Sequence, residues 1–119
     1  MKGNLTPDRT AHIELEVLEA GGVYELIVDT GFNDYLYLPE DTIANWNLPF
    51  VISALVSYAD GSVAVSDLYE ANVVWFGRTV RVTALAGPPG CEPLVGMGLL
   101  VECRIELDEN NGEVRISTL

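Results

Sequence analysis

The chain has 119 residues, 49% of them hydrophobic and 20% charged, so it is long enough for one domain with a buried core and too apolar to be disordered. Six basic residues stand against eighteen acidic ones, a net charge of -12, and the basic residues are scattered. Without a basic stripe to displace counterions from phosphate, a nucleic-acid partner is excluded, and no apolar run is long enough for a membrane span.

The prevailing period is two. Over residues 12 to 19, Ile13, Leu15 and Val17 alternate with Glu14, Glu16 and Glu19, the pattern of a half-buried strand. Gly21-Gly22 is expected to supply positive φ angles for a tight hairpin, with a return strand at Val23 to Val28. That strand runs into Asp29-Thr30-Gly31. A short apolar strand follows at Tyr35 to Leu38, and Pro39-Glu40-Asp41-Thr42 opens a short helix completed by Ile43, Ala44 and Trp46.

From Val51 a strand runs to about Tyr58, turns at Asp60-Gly61 and returns through Val63, Val65 and Leu68. Further strands are expected near Asn72 to Phe76 and Thr79 to Leu85. Gly87-Pro88-Pro89-Gly90 reads as a rigid loop, and Pro93 to Gly96 as a short buried strand before one helical turn at Met97 to Val101. The last hairpin pairs Glu102 to Leu107 with Glu113 to Ser117 across Asn111-Gly112. The fold class is therefore all-β, one domain over residues 1–119, with one or two short helices.

Cys91 and Cys103 read as reduced thiols, because Lys2 is followed by Gly-Asn-Leu-Thr-Pro-Asp and not by the apolar stretch of a signal peptide, and a cytoplasmic location is expected. One histidine and two isolated cysteines make no usual zinc site, and no metal or cofactor is expected. His12 is read as a surface residue and Trp46 and Trp75 as core; Asp34, Asp60 and Asp67 are read as turn or strand-face acids outside catalysis.

Asp29-Thr30-Gly31 alone would be an ordinary turn. Its neighbours change the reading: an apolar strand before it, Phe32 after it, Leu36-Tyr37-Leu38-Pro39 next, a hairpin Tyr58-Ala59-Asp60-Gly61-Ser62 about thirty residues on, and Leu94-Val95-Gly96 followed by Met97-Gly98-Leu99-Leu100. This ordered set resembles the retropepsin-like aspartic peptidases, and in particular their small bacterial single-lobe members, over roughly residues 12 to 117. The resemblance implies a closed β-barrel lobe that dimerises, with catalytic residues Asp29, Thr30 and Gly31. It implies a flap at Tyr58, Ala59, Asp60 and Gly61 that with Phe32 contacts an extended peptide substrate, Tyr58 being the aromatic contact.

The implied chemistry accounts for the residue types. Water cleaves the peptide bond, so one carboxylate must take a proton while a protonated partner donates one, and a lone aspartate cannot do both. One Asp-Thr-Gly in a chain too short for two lobes means that the second carboxylate comes from a second copy, a homodimer. By resemblance, Thr30 hydrogen-bonds across the two-fold axis, and Gly31 brings its amide to the carboxylate without a Cβ clash. Three positions depart from the family pattern: Phe32 replaces a serine or alanine, Met97 an arginine of the dimer interface, and Gly98 an aspartate or asparagine. A peptide-binding or dimerisation module on the same fold is the competing expectation.

Overall fold

The structure is a computed structural model that describes all 119 residues. Ten strands and two short helices follow in the order β1 (Lys2–Leu5), β2 (Ala11–Val17), β3 (Gly22–Val28), β4 (Leu36–Pro39), α1 (Glu40–Asn45), β5 (Phe50–Ser57), β6 (Val63–Trp75), β7 (Arg78–Gly87), β8 (Leu94–Val95), α2 (Met97–Leu100), β9 (Cys103–Asp108) and β10 (Glu113–Thr118). The strands hydrogen-bond in the order β5-β6-β7-β4-β8-β3-β2-β1-β10-β9, and β6 also pairs with β2. That extra pairing joins β6, β7, β4, β8, β3 and β2 into a ring, the barrel expected of the lobe. The β5–β6 hairpin extends from one side of the ring, and β1, β10 and β9 continue the sheet from β2.

Alternation sets the inside of the barrel. Ile13, Leu15 and Val17 of β2 are buried while Glu14 and Glu16 face solvent. Leu26, Leu36, Leu38, Ala71, Val73, Val82, Ala84, Val95 and Leu100 complete most of the interior, and no polar or charged residue is buried. Each buried leucine contributes about 1.5–3 kcal/mol by leaving water. All the acidic residues therefore lie at or near the surface, where their charge is solvated.

Three details differ from the sequence reading. The β2–β3 connection is a 3-10 turn at Leu18–Ala20 closed by Gly21 at φ 73°, and Gly22 is already a strand residue opposite Val17. Gly21 alone takes a positive φ there. The expected pair of strands around Val63–Leu68 and Asn72–Phe76 is one continuous strand, whose first half pairs with β5 and whose second half pairs with β7. Lys2–Leu5 forms a strand that no periodicity signalled, held between β10 and β2.

Trp46 and Trp75 pack against the core, with edge contacts to Tyr24 and Phe76. His12 Nδ1 lies 2.9 Å from Glu25 Oε1. Glu19, in the 3-10 turn, accepts hydrogen bonds from the Asn72 amide at 2.8 Å and from Asn72 Nδ2 at 2.7 Å, tying the β2–β3 turn to β6. Burial pushes the Glu19 carboxyl up, but the two Asn72 donors outweigh it and hold the group below its ordinary value. No helix is long and apolar enough to cross a membrane.

Candidate active site

Asp29 sits where β3 leaves the barrel. Its amide still continues the β3–β8 ladder, donating to Val95 O at 3.0 Å, and its carbonyl accepts from the Phe32 amide at 3.2 Å, which closes a turn over residues 29–32. Within that turn the Gly31 amide donates to Asp29 Oδ1 at 2.9 Å. A Cβ at position 31 would stand 3.3 Å from the same oxygen, so the glycine lets backbone and carboxylate come together. The Asp29 side chain is half-buried, and Thr30 is exposed with its hydroxyl bonded to nothing in the chain.

The back of this loop is fastened to α2. Gly96 N donates to Tyr35 O at 2.9 Å, Met97 N to Phe32 O at 2.7 Å and Gly98 N to Asp34 O at 3.1 Å. Two glycines make this approach possible. A Cβ on buried Gly96 would stand 2.5 Å from the Phe32 carbonyl oxygen and no farther from the Asp34 carbonyl oxygen and the Phe32 ring. A Cβ on Gly98 would meet the Tyr35 ring at 2.7 Å. Gly98 thus has a steric role in this chain, and Tyr35 packs on the back of the loop.

In front of the loop stands the β5–β6 hairpin. Tyr58 N donates to Ser62 O at 2.9 Å and Gly61 N to Tyr58 O at 3.0 Å, with Gly61 at φ 85°. Asp60 accepts from the Ser62 hydroxyl at 2.6 Å and the Ser62 amide at 2.9 Å, and these two bonds, the hydroxyl first, hold its carboxyl below the ordinary value. The Tyr58 and Ser66 hydroxyls lie 3.3 Å apart.

Between loop and hairpin lies a cleft of about 310 Å³. Asp29, Gly31 and Phe32 form one side and Val56, Ser57, Tyr58 and Ala59 the other, over a floor of Tyr37, Leu85 and Leu94. Of the residues expected from sequence, the cleft brings together Asp29, Gly31, Phe32, Tyr58 and Ala59. Thr30 turns away to solvent, and Asp60 and Gly61 stand at the hairpin tip outside the lining.

Sequence reasoning missed the floor. Tyr37 could have been found as the middle residue of Leu36-Tyr37-Leu38, where burial of both leucines forces the tyrosine to the opposite face. Burial chiefly, with Cys91 and Tyr58 nearby, pushes the Tyr37 phenol up, and burial likewise pushes the Cys91 thiol up despite a hydrogen bond from Tyr37. Burial thus favours the neutral form of each, and Tyr37 with Leu85 and Leu94 makes the floor of the cleft. Cys91 and Cys103 are not joined to each other. The two remaining acids near turns have other places: Asp67 accepts from the Ser53 hydroxyl at 2.6 Å, and Asp34 is exposed.

The fold of the chain is similar to that of two solved structures. The crystal structure of a retropepsin-like aspartic protease from Rickettsia conorii is 16% identical and superposes with a TM-score of 0.68, over 99% of this chain and 89% of that one. The solution structure of the protease of simian foamy virus (mac) is 21% identical with a TM-score of 0.54, over 75% of this chain and 90% of that one. No family model and no curated protein matches the sequence. The chain has the retropepsin-like fold, a single lobe of mostly β structure with two short helices.

Proposed function

We propose that the chain is an aspartic endopeptidase that works as a homodimer, each copy contributing Asp29 to a shared pair of carboxylates. The observation that carries this reading is the cleft in which Asp29 faces the Val56–Ala59 side of a hairpin, with Gly31 donating to its carboxylate. Exposed Thr30, whose hydroxyl has no partner within the chain, supports it as the residue that bonds across the two-fold axis. Support also comes from the two solved proteases that share the fold.

The chemistry follows from the pairing. Two carboxylates about 3 Å apart repel by roughly 1.4 kcal/mol at the dielectric of water and by roughly 5 kcal/mol at an effective value near 20. A pair shielded by the hairpin therefore holds one proton between its members over a broad acidic range. The ionised member takes a proton from water as the water oxygen adds to the scissile carbonyl carbon, and the protonated member gives its proton to the carbonyl oxygen. The resulting diol collapses when one carboxyl gives its proton to the amide nitrogen, the other carboxylate takes a proton from a diol hydroxyl and the C–N bond breaks, releasing a carboxylic acid and an amine and restoring the singly protonated pair. The Gly31 amide steadies the acid at this stage, and the hairpin excludes bulk water and offers backbone groups to an extended peptide. Phe32 and Tyr58 line the groove for the peptide side chains.

The deciding experiment replaces Asp29 by asparagine and assays an internally quenched peptide library at acidic pH. Cleavage is lost while self-association persists; retained cleavage would refute the reading. A statine-type peptide, which mimics the tetrahedral diol, inhibits the wild-type chain.

One observation favours a second reading, a peptide-binding module on the same fold. Phe32 follows the glycine, so the Asp29 carboxylate receives a single hydrogen bond within the chain, from Gly31. Such a module would bind the same peptides, release them uncut, and keep that binding in D29N.

A further inference from the structure

Basic residues are absent from the segments that build the cleft. No lysine or arginine occurs between Arg9 and Arg78 or between Arg81 and Arg104. Those two stretches supply the Asp29 loop, β4, α1, the β5–β6 hairpin, the end of β7, the loop before β8 and β8 itself, and with them every residue of the lining. The acids that do have a cationic partner are Glu25, Glu70, Glu109 and Glu113, and none of them lines the cleft.

Three acids beside the cleft therefore keep their charge unneutralised. Asp60 follows Ala59 of the lining, and its Oδ1 takes both Ser62 bonds, which leaves Oδ2 free at the exposed hairpin tip. The other two belong to the floor. Tyr37, Gly87 and Cys91 meet there so closely that a Cβ on Gly87 would stand 2.5 Å from the Tyr37 hydroxyl and 2.7 Å from Cys91 Sγ. Glu92 follows Cys91 and comes just before Pro93 and Leu94, and Leu94 pairs with Tyr37. Asp41 lies in the first turn of α1, directly after β4. Burial raises the Cys91 thiol first and the Asp41 charge raises it further, so that carboxylate is within electrostatic reach of the same corner. Asp41 and Glu92 are exposed, and neither has an ion-pair partner.

We propose that the cleft selects basic peptides: an apolar side chain seats on Tyr37, Leu85 and Leu94, and lysine or arginine residues flanking it are held by Asp41 and Glu92 beside the floor and by Asp60 at the hairpin tip. Asp29 is the only carboxyl in the lining, so contact inside is apolar and charge is read at the rim. The rim acts twice. The field of a chain with net charge -12 raises the encounter rate of a cationic peptide, and each exposed pair then adds about two- to fivefold in affinity. A peptide with acidic flanks meets the same three carboxylates as like charges, so lysine flanks are preferred to glutamate flanks by about tenfold or more.

This substrate class rests on the endopeptidase reading of the cleft for its use in cleavage, whereas binding of the same peptides tests it separately. Three internally quenched peptides share one apolar core and differ only in their flanks, which are all lysine, all glutamine or all glutamate. The wild-type chain is assayed for kcat/KM, and the D29N chain for Kd by fluorescence anisotropy, at about pH 6, where ordinary carboxylates are ionised. Both measurements rank lysine above glutamine above glutamate. The tenfold span narrows to about twofold in about 1 M salt, as screening of exposed charges requires.

Asp41→Asn with Glu92→Gln reduces the span about three- to fivefold, and D41K/E92K abolishes or inverts it. Glu14→Lys with Glu16→Lys makes the same change in net charge on the outer face of β2 and keeps the span within about twofold of wild type, which separates the rim from the overall field. Thermal unfolding confirms that each variant is folded. Equal treatment of the three peptides, or a preference that E14K/E16K removes as fully as D41K/E92K, overturns the proposal. Cleavage with no order among the flanks refutes the basic substrate and leaves the peptidase reading standing. Ordered binding with no cleavage by the wild type does the reverse, and a chain that neither binds nor cleaves any of the three refutes both.

Discussion

Replacing Gly96 by alanine tests whether the Asp29 loop is held where close packing against α2 puts it. The added methyl would stand 2.5 Å from the Phe32 carbonyl oxygen and no farther from the Asp34 carbonyl oxygen, against an ordinary contact near 3.4 Å. Two backbone carbonyls cannot rotate away as a side chain can, so the loop must retreat by about 1 Å. Overpacking of this kind costs roughly 1–3 kcal/mol. The retreat also stretches the Met97-to-Phe32 and Gly98-to-Asp34 hydrogen bonds, each worth about 1 kcal/mol. The expected loss is about 2–4 kcal/mol, and for a chain of this length about 4 °C of Tm accompanies each kcal/mol, so Tm falls by about 8–16 °C. Differential scanning calorimetry reads this directly, with Gly22→Ala as the control. Position 22 is exposed, lies outside the left-handed region and has nothing within 4 Å of an added methyl, so its substitution stays within about 0.5 kcal/mol of wild type. At assay temperatures where G96A remains folded, a shift of about 1 Å at the loop lowers kcat by up to about a hundredfold. If G96A melts with the wild type, the packing argument is wrong.

Glu19→Gln removes the charge that accepts both Asn72 bonds and costs about 1–3 kcal/mol near neutral pH, measured as a lower midpoint in urea. The folded-state value of Glu19 lies below its unfolded one, near 4.5, so the carboxylate's contribution is present above the unfolded value and disappears as pH falls through the folded one. The wild-type and E19Q midpoints therefore converge on acidification, and a constant gap down to strongly acidic pH would contradict the assignment. Asp60→Ala releases Ser62 from the hairpin tip without touching the barrel. Tm stays near that of the wild type while KM for peptide rises and kcat changes less, and an unchanged KM would remove the hairpin from substrate capture.

Much of the barrel was legible because its strands carry their environment in their alternation. Ile13, Leu15 and Val17 point inward and the glutamates between them outward, and the structure keeps that division. Asp60-Gly61 is a turn for the local reason the sequence suggests. What escaped was set by distant contacts. Lys2–Leu5 has no apolar period, and its strand comes from two partners on either side; a Cβ at Gly3 would collide with the His12 carbonyl, a requirement invisible before β2 is placed. Strand β6 looked broken because Val63 and Val65 are exposed while Ala71 and Val73, of the same parity, are buried. Only the second half of that strand lies in the ring. At the site, the Asp29 loop and the hairpin could be read from short motifs, whereas Tyr37, Leu85 and Leu94 meet only after strands far apart in the chain have closed the barrel.

Subunit mixing tests the proposed sharing of two Asp29 carboxylates most directly. D29N chains are added in increasing proportion to wild-type chains, at a total concentration where all chains are dimeric and after exchange is complete, and the initial rate of peptide cleavage is recorded. If one dimer needs both Asp29 side chains, activity follows the square of the wild-type fraction, and an equal mixture retains about a quarter of the rate. Activity proportional to the wild-type fraction, with about half the rate left in the equal mixture, would mean that each chain acts alone.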